Sequence, residues 1–375
     1  MEKTTTIFFI MMIVIITGAI STILTKILYT VESLGVFFTH VWFLTFTMFI
    51  GEFSCFIFYF FIKKETKHIK PEIYRLKLSI PPLLDLCAST MANISLIFLP
   101  GSIYQMLKGS IIIFTLILSI FVLKNKHNVS HYTGAVLVII GVSLVGYASY
   151  IVSLTSDEND KKDFTTTFLG IIVLLISQMI QSCQVIYEEN IMKNYYCHPF
   201  QCAGYEGLFG IIFSLIIMLI FQFIKCKPNT IFCKGFCTSD DDGVYRMSNF
   251  IFAIRQIINN LKILYLILGY IAAISFYNSS GIALSGYTSG TARSLVDTIR
   301  TIFIWLFFIM DVTKNDKVKE SFSFIQCSGF VFMIVGNLIY NEVFFINKKL
   351  ELKNQKKDEK KNEETSNLII RNNNI

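Results

Sequence analysis

Arg293-Ser-Leu-Val-Asp297-Thr-Ile-Arg300-Thr-Ile-Phe-Ile-Trp-Leu-Phe-Phe-Ile309 is an apolar segment that carries three ionisable groups within its first eight residues. A charge at a bilayer centre costs about 2.5–3.5 kcal/mol on insertion scales, so each needs an internal partner or a watery cavity. The segment therefore predicts a polar pathway inside a membrane bundle. Composition points the same way: 53% of the 375 residues are apolar and 36 are Phe, more than a soluble domain of this size tolerates.

A membrane span needs roughly 20 mostly apolar residues. Ten segments qualify: 7–28, 40–62, 78–98, 103–123, 130–150, 168–187, 202–224, 264–284, 294–311 and 322–345. The first reads as a span and not a signal peptide, because its apolar run is long and no small-residue cleavage site closes it. Orientation follows from the short loops. Lys63, Lys64, Lys67, Lys70, Arg75 and Lys77 collect in one loop and Lys124 with Lys126 in another, whereas 29–39 has neither Lys nor Arg. Both termini are expected in the cytosol, with the acidic loop around Asp157, Glu158 and Asp160 on the lumenal side.

The two halves of the chain are weakly alike. Residues 101–147 and 293–342 each hold a polar-headed span, a short charged loop and a span with paired glycines. Gly134 and Gly141 match Gly329 and Gly336 at the same seven-residue spacing. Aligned so, Lys108 falls opposite Arg300 and Gln105 opposite Asp297. Five spans per half is odd, so the halves enter the membrane in opposite directions, the inverted repeat of many secondary transporters. The expected organisation is an all-α membrane protein of ten transmembrane helices: a first five-helix repeat over 1–150, a lumenal linker over 151–167, a second repeat over 168–345 with a lumenal loop at 225–263, and a disordered basic cytosolic tail over 346–375.

Helical spacing places polar residues on single faces: Asp85, Ser89 and Asn93 in the third span, Gln178, Gln181, Ser182 and Glu188 along the sixth, Ser275, Asn278 and Ser279 in the eighth. Asp297 sits four residues after Arg293 and three before Arg300, so it can pair with either and leave a positive excess. With Lys108 from the other half, this suits an anionic or strongly dipolar solute. The competing reading is an internal ion-pair network that locks the bundle. Substrate contacts are expected from Lys108, Gln105, Arg300, Asp297, Arg293, Asn93, Gln181 and Asn278. Glu52, Glu206 and Asp85 are candidate proton-coupling groups, and turns at Gly101, Gly286 and Gly290 are candidate gates.

An enzyme is not expected. All five histidines, His40, His68, His127, His131 and His198, lie at loops or span ends, and Gly286 to Gly290 lacks a His partner for a hydrolase elbow. Neither a cofactor nor a metal is expected, nor a nucleic-acid partner. Cys226, Cys233 and Cys237 fall in one loop, where oxidising conditions form one disulfide and leave an odd thiol.

Four stretches then become familiar: Met48-Phe-Ile-Gly-Glu-Phe-Ser-Cys55, Tyr104-Gln-Met-Leu-Lys-Gly109 with Ile112-Ile-Phe-Thr115, Tyr205-Glu-Gly-Leu-Phe-Gly210, and Leu295-Val-Asp-Thr-Ile-Arg-Thr-Ile-Phe-Ile-Trp305. In that order they resemble the F branch of solute carrier family 35, its member-6 group, within the drug/metabolite transporter superfamily. The resemblance implies inverted five-helix repeats, alternating access, a cavity lined by the fourth and ninth helices at Gln105, Lys108, Asp297 and Arg300, and lysosomal residence. Nucleotide sugars or nucleotides are the cargo of better-known relatives, although their Gly-Ala-Leu-Asn-Lys-type motif is absent here. The loop 225–263, with its cysteines and an amphipathic stretch near 250–262, is also similar to the lumenal loop of the chloroquine-resistance transporters, which keeps amino acids, peptides and drug-like cations open as cargo. A non-transporting membrane adaptor or receptor is the rival from another class.

In the tail, Glu364, Leu368 and Ile369 form an acidic dileucine pattern that addresses a protein to lysosomes or a vacuole through clathrin-adaptor proteins, with the Golgi as alternative. The expected partners are thus a small-molecule solute, the bilayer and those adaptors, and the expected state is a monomer or homodimer.

Overall fold

Apolar backbone in lipid must satisfy its hydrogen bonds within itself, so long apolar runs become helices. The computed structural model of the chain describes residues 2–62, 74–121, 128–155, 164–195, 197–227, 237–239, 243–288, 290–309 and 324–341. Its helices are α1 (Glu2–Leu28), α2 (Val41–Ile62), α3 (Ile80–Phe98), α4 (Gly101–Lys108), α5 (Ile111–Phe121), α6 (Val129–Thr155), α7 (Phe164–Asn194), α8 (Pro199–Gln222), α9 (Phe250–Asn259), α10 (Leu261–Tyr287), α11 (Gly290–Ile309) and α12 (Phe324–Tyr340). Two short antiparallel hairpins, β1 (Glu32–Ser33) with β2 (Val36–Phe37) and β3 (Thr238–Ser239) with β4 (Tyr245–Arg246), stand at one end.

Among the described residues eight helical segments are long and apolar enough to cross a membrane. The segments expected as ninth and tenth spans fall on α11, whose 20 residues include Arg293, Asp297 and Arg300, and on α12, which is 17 residues long. The fourth expected span is not one helix. At Gly109 and Ser110 the amides turn back to Met106 O and Leu107 O, each at 3.0 Å, a three-residue spacing that tightens and breaks the helix. A Gly-Ser pair is a common cause of such a kink.

The principal helix partners are α1 with α10, α2 with α8, α3 with α7, and α6 with α12, while α4 lies against α11. The glycines at seven-residue spacing meet each other: a Cβ on Gly134 would stand 2.6 Å from the Gly336 carbonyl, and one on Gly141 2.6 Å from that of Gly329. Backbones that approach so closely maximise dispersion contact, the main attraction between helices in lipid.

At the hairpin end, Gln256 on α9 donates to Ser33 O at 2.8 Å and Val36 O at 3.0 Å, and its carbonyl oxygen lies 2.9 Å from His40 Nε2. One buried amide thus fastens β1–β2 to α9, and the disulfide expected within the loop 225–263 forms between Cys226 and Cys237. Cys233 lies outside the described residues, as do most of the acidic linker and the whole tail with Glu364, Leu368 and Ile369. At the opposite end, Lys77 donates to the Tyr195 hydroxyl at 2.8 Å. The run Ser285 to Gly290 is less of a turn than its composition suggests. Helix α10 continues through Tyr287, and the Thr288 hydroxyl bonds back to Leu284 O at 2.6 Å.

Candidate functional site

Between these helices lies a cavity of about 130 Å³. Lys108 reaches its wall from the last turn of α4, immediately before the helix break, and Arg300 reaches it from α11. Arg293, Asp297, Asn93, Gln181, Asn278, Glu52, Glu206 and Asp85 line it too. Eleven residues proposed from sequence as solute or proton sites thus reduce to ten at one void, because Gln105 stands apart. Its side chain is fully buried, and neither amide atom has a hydrogen-bond partner. The helical phase that aims Lys108 at the cavity turns Gln105, three residues earlier, into the packing around α4.

Two glycines make room for the arginines. A Cβ at Gly18 would meet Arg300 Nη1 at 2.4 Å, so α1 accommodates that guanidinium only where it lacks a side chain. Gly281 on α10 does the same for Arg293, with its guanidinium carbon 2.9 Å from the hypothetical Cβ.

Of the two pairings open to Asp297, the structure makes one: Asp297 Oδ1 lies 3.6 Å from Arg300 Nη2 and accepts from the Tyr277 hydroxyl at 2.9 Å. The Tyr277 ring lies under the same guanidinium, 4.7 Å from Cζ to centroid. Arg293 instead donates to Glu188 Oε2 at 2.7 Å, and both side chains are buried. Glu188 in turn accepts from Gln184, and Gln184 from Gln181, each at 2.7 Å, so one hydrogen-bonded rail runs along α7. Sequence reading named Glu188 as part of a stripe and gave it no role, since the sixth span was drawn to end at 187. The stripe of polar residues at helical spacing was the signal that reached it.

Packing brings acids from other helices to the cations of α11 and α4. Among the described residues the cavity is lined by five carboxylates, Glu52, Asp85, Glu188, Glu206 and Asp297, against three cations. Four of the acids, all but Asp297, come from four further helices, whose faces converge only in the folded bundle. Glu52 accepts from Asn278, and Asp85 accepts from Ser89 at 2.6 Å. At Gly207 the α8 backbone packs directly on Glu52 and Phe53, which seats Glu206 beside Glu52. Glu52, Asp85, Glu188 and Glu206 interact electrostatically with one another and with Arg293. Lys108, with its ammonium 5.2 Å from the Tyr104 ring centroid, interacts chiefly with Arg300, Tyr277 and Asp297, and less with Asp85. The cavity therefore has an acid half gathered around Arg293 and a cationic half formed by Lys108 and Arg300.

The proposed gating glycines occupy helix ends and interiors. Gly101 begins α4 and Gly290 begins α11, while Gly286 lies within the last turn of α10, against Met192.

Comparison with known proteins places these features in a lineage. Residues 7–340 match the family described as CRT-like, chloroquine-resistance transporter-like. The chain is 31% identical over 306 residues to an uncharacterized protein of Schizosaccharomyces pombe, covering 79% of this chain and 85% of that one. It is 29% identical over 302 residues to Solute carrier family 35 member F6 of Mus musculus, covering 78% and 76%. Against the Homo sapiens protein of that name it is 26% identical over 301 residues, with the same coverage.

Proposed function

The chain belongs to the chloroquine-resistance transporter-like family and is a multi-pass membrane transporter of a small-molecule solute, and from that premise we propose a mechanism and a cargo class for it. It is a secondary transporter that moves a small polar organic solute with an anionic group by rocking two inverted five-helix repeats about a midplane cavity. One observation carries the cargo class: Lys108 and Arg300, from different halves of the chain, line the same void. The helix break beside Lys108 fits this reading, since discontinuous helices are where such transporters hold substrate. The repeat is supported by the packing. Numbering α4 and α5 as one span, the leading partners are 1 with 8, 2 with 7, 3 with 6 and 5 with 10, while span 4 packs on spans 6 and 9 and span 9 on spans 1 and 4. Exchanging each span for the one five places away returns the same set of pairs.

The solute's anionic group sits between Lys108 and Arg300, and Asp297 with Tyr277 holds Arg300 in place. Glu52, Glu206 and Asp85 face the other end, where they receive a proton or a cationic group. A nucleotide or nucleotide sugar presents anionic charge alone and leaves this acid half unmet. Binding sites for drug-sized ligands occupy about 300–1,000 Å³, so such cargo also requires the cavity to open well beyond its present volume. The acid half thus favours a second reading within the same mechanism, a dipolar solute such as an amino acid or short peptide. With both termini in the cytosol, the tail displays Glu364, Leu368 and Ile369 to sorting adaptors, which favours a lysosome or vacuole-like compartment.

The test is counterflow in proteoliposomes with a panel of nucleotide sugars, nucleotides, amino acids, peptides and organic cations. Exchange of a solute bearing an anionic group is expected. Exchange of simple cations alone refutes the anion site, and failure across the panel favours an adaptor or receptor with structural buried charges.

A further inference from the structure

Two disulfides bracket α8. Cys197–Cys202 closes the turn that enters the helix, and Cys226–Cys237 ties the segment leaving it to the start of β3. The helix has 24 residues, and at 1.5 Å per residue it is about 36 Å long, enough to cross a hydrocarbon core of about 30 Å. The two disulfides therefore face different compartments. Disulfides persist where conditions are oxidising and are rare where glutathione keeps thiols reduced. Facing opposite sides of one membrane, the pairs meet different redox conditions.

The basic end identifies which pair meets the reducing side. Tyr195, two residues before Cys197, accepts from Lys77 at the end of the basic stretch 63–77. Short loops rich in Lys and Arg stay in the cytosol. We propose that Cys197 and Cys202 are a reversible dithiol–disulfide pair on the cytosolic face, while Cys226–Cys237 is permanent. This rests on the orientation given above and adds to it a redox modification site.

The pair is placed to act on the cavity. Cys202 precedes Glu206 by one helical turn on the same face of α8, and Cys197 follows the end of α7, which carries Glu188. Both cysteines are buried, packed with Leu78, Ile191, Ala203 and Ile282. Thiol exchange at such sites proceeds through local opening of the turn, so the bond forms and breaks only when this end of the bundle moves. Once formed, it clamps the turn joining the two helices that supply Glu188 and Glu206.

The oxidant is glutathione disulfide. One cysteine thiolate attacks it and expels one glutathione thiolate; the other cysteine thiolate then attacks the mixed disulfide and expels the second. Two cysteine protons and two electrons leave with two molecules of glutathione, and one S–S bond is exchanged for another.

The test uses the full-length protein in cells permeabilised at the plasma membrane alone, so that endomembranes stay sealed. After incubation in reduced or oxidised glutathione, the sample is acid-quenched, alkylated and mapped by peptide mass spectrometry. In reduced glutathione Cys197 and Cys202 are expected as free thiols, with Cys226–Cys237 bonded. Oxidised glutathione should lower the alkylated fraction of the first pair by about five-fold or more. A Cys197–Cys202 bond that survives reduced glutathione, or thiols that survive the oxidised form, overturns the proposal. Redox response of Cys226 and Cys237 with an inert Cys197–Cys202 pair overturns it through the orientation, and leaves transport itself standing. As a functional readout, oxidised glutathione should slow wild-type and C226S/C237S uptake by about two-fold or more and leave C197S/C202S unchanged. Equal sensitivity with and without the pair overturns the clamp.

Discussion

Arg293 is ion-paired with Glu188 and within electrostatic reach of Glu52, Asp85 and Glu206, so removing it and removing its direct partner should not cost the same. In Arg293→Gln, Glu188 loses its 2.7 Å ion pair while Glu52, Asp85 and Glu206 remain around it. Breaking a buried pair from one side costs about 3–5 kcal/mol, because a charge stays behind without compensation. In Glu188→Gln the remaining guanidinium keeps three acids within electrostatic reach, and the loss is closer to one charge-assisted hydrogen bond, about 1.5–3 kcal/mol. The double variant removes both charges and should be more stable than Arg293→Gln alone, with a coupling energy of about 1–3 kcal/mol. Thermal unfolding of the purified protein in detergent at neutral pH measures all three. The order of melting temperatures should be wild type, Glu188→Gln, then Arg293→Gln, with the double variant above the last. If Glu188→Gln is the more damaging single change, the acids are not gathered on Arg293 and the reasoning fails.

Other consequences are as direct. Gly141→Ala puts a methyl group within 2.6 Å of the Gly329 carbonyl and should destabilise by about 1–3 kcal/mol in the same melts, whereas Gly146→Ala, with open space around it, should be neutral or slightly stabilising. Tyr277→Phe keeps the ring beneath Arg300 and loses the hydroxyl bond to Asp297, costing about 1.5–3 kcal/mol, while Tyr277→Leu loses both and should melt lower still. Gln256→Ala removes three contacts that hold the first hairpin, worth about 1 kcal/mol each, so hydrogen exchange at residues 32–38 should quicken by about a hundredfold with the rest of the bundle unchanged.

Much of this architecture is legible in the chain because lipid imposes so few solutions. Runs such as 7–28 and 202–224 have one way to satisfy their backbones, and helices lie at all ten expected positions. The family resemblance drawn from four stretches is likewise borne out by the match over 7–340. Glycines at seven-residue spacing marked a packing face, and they pack on each other. The break at Gly109 was not read, because Gly-Ser inside an apolar run looks the same whether it kinks a helix or admits a close neighbour. The partner of Arg293 lies 105 residues away, and local spacing favoured the nearer Asp297. The acid wall of the cavity was not assembled for the same reason: Glu52, Asp85, Glu188 and Glu206 share no helix, and only tertiary packing brings them to one void. Gln105 and Lys108 belong to one turn of α4, yet about a sixth of a turn of helical phase separates a cavity residue from a buried one.

Uptake by the Lys108→Ala and Arg300→Ala variants, in proteoliposomes matched to wild type for amount and melting behaviour, tests the account at its centre. Losing a charge-assisted contact worth about 1.5–3 kcal/mol should lower uptake at limiting solute by about ten- to a hundredfold in each. Transport by both at the wild-type rate would contradict the claim that these two cations hold the solute.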